Sequence, residues 1–157
     1  MNTRKAERVL DPRRWWARAF GWIFLGSAVI HLILVSAAPS SYDSFADGSW
    51  LPFVRQAWRS VLVPNVGYLI PVLIAFEAAV GVLILSRRYR RTGIAAAILF
   101  NLALIMFGWG FCIWSVPVVA LLLLFWHLEA RSDDEVAEPR VVDTGGRPAI
   151  GARTAAP

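Results

Sequence analysis

The sequence contains a single cysteine, Cys112, so no internal disulfide bond can form and no C-x-x-C redox or zinc pattern exists. It also lacks a glycine-rich phosphate loop, a cluster of metal-binding side chains, and a serine or cysteine catalytic triad. Charged residues make up only 17% of the chain, whereas about a quarter is usual in a soluble domain. These absences argue against a disulfide-stapled, metal-binding or phosphate-binding protein, and against a soluble domain.

Apolar residues take the place of the missing charges, at 57% of the chain with a mean hydropathy of +0.54. The net charge of +5 would fit nucleic-acid binding, but the basic residues lie beside the apolar segments, where the orientation of membrane helices places them. At 157 residues the chain is expected to form one domain. We therefore predict an integral, all-α membrane protein that is embedded in the lipid bilayer and binds no nucleic acid.

Charge-free stretches divide the chain into membrane spans. Residues 19–37 and 92–128 carry no charge, and residues 61–86 carry only Glu77. A helix needs about 20 apolar residues to cross the bilayer, so the run 92–128 is too long for one span and must reverse. The glycines within residues 108–110 accept the backbone angles of such a turn. The predicted fold class is a polytopic four-helix transmembrane bundle, residues 19–128, with spans near 19–37, 64–86, 92–108 and 111–128.

The distribution of lysine and arginine predicts how this bundle is oriented. With the N-terminus inside, the cytoplasmic segments 1–18, 87–91 and 129–157 hold six, four and four of these residues, and the outer segments hold two and none. This asymmetry predicts that both termini face the cytoplasm, in the inner or plasma membrane. Residues 1–18 are then a basic cytoplasmic N-terminus. Residues 129–157 form a cytoplasmic tail, predicted to be disordered because it lacks apolar periodicity.

The outer loop between the first two spans, residues 38–63, is rich in aromatic residues. These are Tyr42, Phe45, Trp50, Phe53 and Trp58. One interpretation is an interfacial helix lying on the outer leaflet, since aromatic side chains are common at membrane surfaces. The other interpretation is a lid over a cavity between the spans. The sequence favours the interfacial helix.

Glu77 is the only formally charged residue within a span, about 13 Å from the inner end of its helix and close to the midplane. Such a residue is costly in a bilayer, so Glu77 is a candidate functional group. Asn101 lies at nearly the same depth in the third span, and we expect the two side chains to hydrogen-bond across the hairpin. A protonated Glu77 that donates to Asn101 would hold the helices together. The alternative is a carboxyl group that takes part in chemistry.

His31 lies in the first span, about 9 Å from its outer end. Its depth differs from that of Glu77 by about 9 Å, so a direct contact would be strained and a water or ligand would have to bridge the two side chains. Pro71 and Pro117 break the helical hydrogen bonding in the outer half, and irregular backbone in a membrane persists only where protein or water satisfies it. We therefore predict a polar cavity in the outer half, with Glu77 near its floor. The candidate cavity or ligand-binding residues are Glu77, Asn101, His31 and Tyr68, and the candidate catalytic residues are Glu77 and His31.

A family resemblance follows from the small and charged residues of the first three spans. The first span contains Gly21, Gly26 and His31, and in the second Glu77 is followed by Gly81, an aliphatic run and the basic turn 87–91. On these residues the chain resembles the DoxX-like family of small four-helix bacterial membrane proteins, over about residues 17–126. Glu77 occupies the place of the recurring second-span glutamate of that family. The long aromatic outer loop and the lone cysteine depart from the family pattern.

The resemblance implies a place in membrane redox systems. One relative is a subunit of a thiosulfate:quinone oxidoreductase, and others partner soluble sulfur-transfer or oxidative-stress enzymes. It therefore implies a membrane subunit or anchor rather than an enzyme. The implied partner is a soluble oxidoreductase or sulfur-transfer enzyme, and the implied ligand is a quinone or lipid in a cavity near Glu77. The residues themselves identify no cofactor and no metal.

Two other functions stay open. The first is a stand-alone enzyme that acts on a lipid or isoprenoid with Glu77 and His31 as acid and base, although the difference in depth counts against it. The second is a proton-coupled carrier of a small solute in which Glu77 titrates during transport. Four short helices without an internal inverted repeat make a poor carrier unless the protein forms a homo-oligomer. Of the three functions we favour the redox-linked subunit.

Overall fold

The part of the chain that the structure describes is residues 12–137, with side chains for residues 14–130, in a computed structural model. Most of the basic N-terminal segment and most of the predicted disordered tail lie outside these residues. Within them all regular structure is helical, which confirms the expected all-α class. The helices are α1 (Pro12–Ala37), α2 (Pro52–Ala57), α3 (Val66–Leu85), α4 (Arg90–Ile105) and α5 (Trp109–Ala137).

Three stretches of the described chain are long and apolar enough to cross a membrane, judged by length and composition. They are Arg14–Ala37, Pro52–Leu85 and Trp109–Ala130. Helix α4, with 16 residues, is shorter, and it packs between α3 and α5. Helix α5 continues to Ala137, so the first residues of the predicted disordered tail are helical instead.

The predicted outer loop, residues 38–63, is mostly helical. One 3-10 turn covers Pro39–Tyr42, and a helical run that starts at Pro52 continues into α3, so the second apolar stretch begins well before residue 64. Proline is favoured in the first turn of a helix because its missing N–H has no partner there. Further on, Pro64 removes an N–H from the run, and the backbone passes this point through a π turn, Trp58–Leu62, and a 3-10 turn, Val63–Asn65.

Close packing of α1 against α3 depends on two glycines. A Cβ atom built on Gly81 would lie 2.9 Å from the carbonyl oxygen of Gly21, and one built on Gly21 would lie 3.2 Å from the carbonyl oxygen of Gly81. The two backbones therefore touch, as small residues allow in membrane helices. Gly26, which the resemblance also uses, has no such neighbour.

The chain turns between α4 and α5 at Gly108, where the sequence predicts a reversal. Its φ is +105°, a left-handed conformation that only glycine adopts readily. A Cβ atom on Gly108 would also overlap the carbonyl oxygen of Gly48. We call the half of the bundle nearest Gly108 the distal half, and the opposite half, nearest Arg90, the basal half.

The basal half is filled with apolar side chains. Phe20 of α1 stacks on Phe125 of α5 at 6.4 Å between ring centroids, and Ile84 and Ile94 are fully buried beside them. At the end of this half the Arg90 guanidinium donates to the carbonyl oxygen of Ile84 and to the carboxylate of Glu129. Both charged side chains of that pair are largely buried. These contacts hold the ends of α3, α4 and α5 together.

We predict that Gly81→Ala lowers the free energy of unfolding by about 1–3 kcal/mol, because the new methyl group must push α1 away from α3. Thermal unfolding of the purified protein in mild detergent measures this change. The matched control is Gly67→Ala, in the same helix, where a Cβ atom meets nothing within 4 Å. Equal stability of the two variants would show that the contact between the backbones is unimportant.

Candidate functional site

A cavity of about 530 Å³ occupies the centre of the bundle and extends through the distal half. Residues from α1, α3, α4 and α5 line it, together with four residues of the segment between α1 and α3, which are Tyr42, Phe45, Trp58 and Leu62. Its volume falls in the range of about 300–1,000 Å³ that is usual for sites that bind small organic molecules. The wall is mostly apolar and includes nine aromatic side chains. The predicted polar cavity is thus an apolar one with a few polar groups.

Those polar groups come from three helices and one turn. Ser27 and His31 lie on α1, Glu77 on α3 and Asn101 on α4, and Tyr42 belongs to the turn that follows α1. Phe20 and Phe24 line the basal end of the cavity. Glu77 is therefore on the wall rather than at the floor.

Glu77 is 1% exposed, and its two carboxylate oxygens have different surroundings. Oε1 accepts a hydrogen bond of 2.8 Å from the hydroxyl of Ser27 and lies 3.6 Å from Nε2 of His31. Oε2 is buried and has no hydrogen-bond partner among the described residues. Since buried polar atoms are nearly always paired, this oxygen is the conspicuous exception in the site.

His31 connects Glu77 to Tyr42. Its Nδ1 is 2.7 Å from the hydroxyl oxygen of Tyr42, and the two rings stack with centroids 5.8 Å apart. Burial raises the pKa of the Tyr42 phenol, so its hydroxyl keeps its proton near neutral pH. When that hydroxyl donates to Nδ1, the ring proton of a neutral His31 sits on Nε2 and faces Glu77.

The direct approach of His31 and Glu77 contradicts the expectation that this contact would be strained. The Gly21 and Gly81 contact fixes the register of α1 on α3, and along the bundle the two Cα atoms still differ by about 9 Å. However, helical side chains lean towards the N-terminus of their own helix. Because α1 and α3 run in opposite directions, the two side chains lean towards each other and close this distance.

Asn101 lines the cavity, but it does not bond to Glu77 as predicted. Its side-chain amide donates to the carbonyl oxygen of Ala97, one turn back in α4, at 2.9 Å. The side-chain amide of Asn101 is thus hydrogen-bonded within its own helix. The hydroxyl of Ser27 on α1 donates to Glu77 in its place. The prediction of a Glu77 and Asn101 pair is therefore wrong.

Tyr68 does not line the cavity, although it was a candidate. It is 80% exposed. Helix α3 presents Ile70, Leu73 and Glu77 to the cavity, and Tyr68 precedes Ile70 by two residues, which turns it about 200° around the helix.

Five aromatic residues, Tyr42, Phe45, Trp58, Phe107 and Phe111, form an aromatic cap over the distal end of the cavity. Neighbouring rings in this cap lie 5.1–6.0 Å apart, and the indole N–H of Trp58 donates to the carbonyl oxygen of Tyr42 at 2.7 Å. Part of the segment between α1 and α3 thus covers the cavity, as the lid interpretation expects.

The cavity opens sideways between α1 and α5. Ile23 and Ile30 of α1 line it and yet are 51% and 58% exposed. Trp114 of α5 lines it as well and is 62% exposed. In the basal half the two helices meet through Phe20 and Phe125. This flank of the bundle is therefore open to the interior.

No family model, no curated protein and no solved structure matches the chain. Among the described residues, no group of three or more His, Cys, Asp or Glu side chains is placed to hold a metal ion. The geometry of the cavity is therefore the feature of the molecule that bears on its function.

We predict that Tyr42→Phe lowers the free energy of unfolding by about 1 kcal/mol, because it removes the partner of the His31 ring. Thermal unfolding in detergent measures the effect. Tyr89→Phe is the control, since Tyr89 is exposed at the opposite end of the bundle. A Tyr42→Phe protein as stable as this control would mean that the hydrogen bond contributes nothing.

Proposed function

We propose that the chain is a multi-pass protein of the inner or plasma membrane with four spanning helices and both termini in the cytoplasm. The excess of lysine and arginine in segments 1–18, 87–91 and 129–157 supports this orientation. Helix α4 is the short span, about 24 Å long. The turn as far as Gly108 adds to its length. In this arrangement the distal half faces outwards and the basal half faces the cytoplasm.

We further propose that the protein binds a molecule that dissolves in the lipid phase. The observation that carries this proposal is the sideways opening between α1 and α5, which leads into an apolar cavity with Glu77 and His31 in its wall. An apolar molecule in the bilayer would enter between these helices without crossing water. Its polar group would then find the few polar side chains of the wall.

The resemblance to the DoxX-like family adds a context to this ligand. In that context the protein is the membrane subunit or anchor of a redox-linked complex and holds a quinone or a lipid near Glu77. A soluble oxidoreductase or sulfur-transfer enzyme would dock on the cytoplasmic side, where Arg87 and Arg88 are exposed. The protein would then supply the binding site and the partner the catalysis.

A second candidate function is a membrane enzyme that acts on a lipid or isoprenoid. The observation in its favour is the 3.6 Å distance between His31 Nε2 and Glu77 Oε1. A histidine and a carboxyl group at this distance can act as base and acid on one bound molecule. His31→Gln and Glu77→Gln would then abolish turnover while leaving ligand binding largely intact.

The orientation can be tested with single cysteines in a Cys112→Ser background. We expect Asp43→Cys to react with a membrane-impermeant maleimide on intact cells, because residue 43 is exposed at the distal end. Arg88→Cys should react only after the membrane is permeabilised, because residue 88 lies in the cytoplasmic turn. The reverse pattern would invert the topology, and labelling of both positions on intact cells would contradict the predicted number of spans.

The ligand can be tested by purifying the full chain in a gentle detergent and analysing bound small molecules and proteins by mass spectrometry. We expect a quinone or another apolar lipid to co-purify with the wild-type protein, and a soluble oxidoreductase if the redox-linked context holds. Leu73→Trp should remove the small molecule by filling the cavity. Val72→Trp is the matched control, because Val72 is exposed on the same helix. Equal occupancy of the two variants would overturn the assignment of the cavity.

A further inference from the structure

The charged side chains of the cavity wall do not balance. Glu77 is the only aspartate or glutamate among the residues that line it, and no lysine or arginine lines it. Its carboxylate has one oxygen without a hydrogen-bond partner among the described residues. When this group is ionised, a negative charge in apolar surroundings is left without a counter-charge from a basic side chain of the wall.

A neutral His31 does not supply that counter-charge. The Tyr42 hydroxyl has two acceptors within reach, His31 Nδ1 at 2.7 Å and the His31 carbonyl oxygen at 3.4 Å. When the hydroxyl donates over the shorter contact, Nδ1 is the acceptor, and only a neutral imidazole offers an acceptor nitrogen. The histidine then donates one hydrogen towards Glu77 without carrying a positive charge.

The aromatic residues of the wall suit a positive charge. Phe24 and Phe100 line the cavity on the basal side of Ser27 and His31, and the aromatic cap closes the distal side. The faces of aromatic rings attract cations, most strongly where water is excluded. Trp114, beside the opening, presents a further indole ring to an entering molecule.

We propose that the cavity binds a lipophilic monocation, such as an amphipathic amine or an organic quaternary ion, with Glu77 as its counter-charge. This inference rests on the proposed function, since it specifies the ligand that enters between α1 and α5. A cation of this kind dissolves in the bilayer through its apolar groups and fits a cavity of about 530 Å³. The single carboxylate sets the charge of the ligand at one.

A proton and the cation exclude each other at Glu77. The titratable groups that face it are His31 on α1 and Tyr42 in the turn after α1, while Ser27 and Asn101 do not titrate. The lining residues of α5 are Phe111, Trp114 and Val118, none of which titrates. The affinity for the cation therefore falls as the pH is lowered, and a cation that binds to the protonated protein releases one proton.

Isothermal titration calorimetry of the full chain in detergent tests this inference with three probes. They are tetraphenylphosphonium, the neutral triphenylphosphine oxide of similar shape, and decylubiquinone. We expect the cation to bind most tightly and to lose affinity at low pH. Glu77→Gln should weaken cation binding about tenfold to a hundredfold and leave the neutral probes unchanged. Asp43→Asn is the control, because Asp43 is an exposed acid outside the cavity wall.

The outcomes separate this inference from the proposed function. If the neutral probes bind as tightly as the cation and Glu77→Gln changes nothing, the monocation is wrong while a lipid-phase ligand still stands. If no probe binds to the wild-type protein, the proposed function fails as well. If Glu77→Gln does not elute as a folded protein, the pH profile and the contrast between cation and neutral probes on the wild type decide the question.

Discussion

The contact between Gly21 and Gly81 sets the geometry on which the site depends. Where the backbones of α1 and α3 touch, the register of one helix on the other is fixed. About one and two-thirds turns further along α1, Ser27 meets the Glu77 carboxylate, and about one more turn brings His31 to the same oxygen. A wider spacing between these helices would separate all three side chains at once. The arrangement of polar groups in the cavity therefore depends on glycine at positions 21 and 81.

The two halves of the bundle differ in how tightly they are packed. In the basal half, ring stacking and fully buried aliphatic residues leave no room, and the Arg90 and Glu129 pair closes the end. In the distal half the same helices enclose empty space under the aromatic cap. The packing of the basal half holds the helices together. The distal half can therefore contain a cavity without a loss of that packing.

The features that the sequence predicts well are those that a single segment determines. Charge-free length indicates the long apolar helices, glycine marks the turn at residue 108, and a lone acid such as Glu77 stands out in an apolar run. The predicted hydrogen-bond partner of Glu77 was wrong, because the choice between Ser27 and Asn101 depends on how separate helices pack. The expectation that a direct contact with His31 is strained was wrong for a different reason. The Cα atoms of the two residues lie at different depths, but the side chains of antiparallel helices lean towards each other.

The opening between α1 and α5 has a consequence for how strongly the protein would need to hold the ligand proposed above. A site that is entered from the bilayer samples the concentration of the molecule in the lipid, which for an apolar compound greatly exceeds that in water. Modest intrinsic affinity is then enough for high occupancy. Release needs no opening of the aromatic cap, because the molecule leaves by the same flank. For such a ligand, the composition of the surrounding membrane would therefore regulate how full the cavity is.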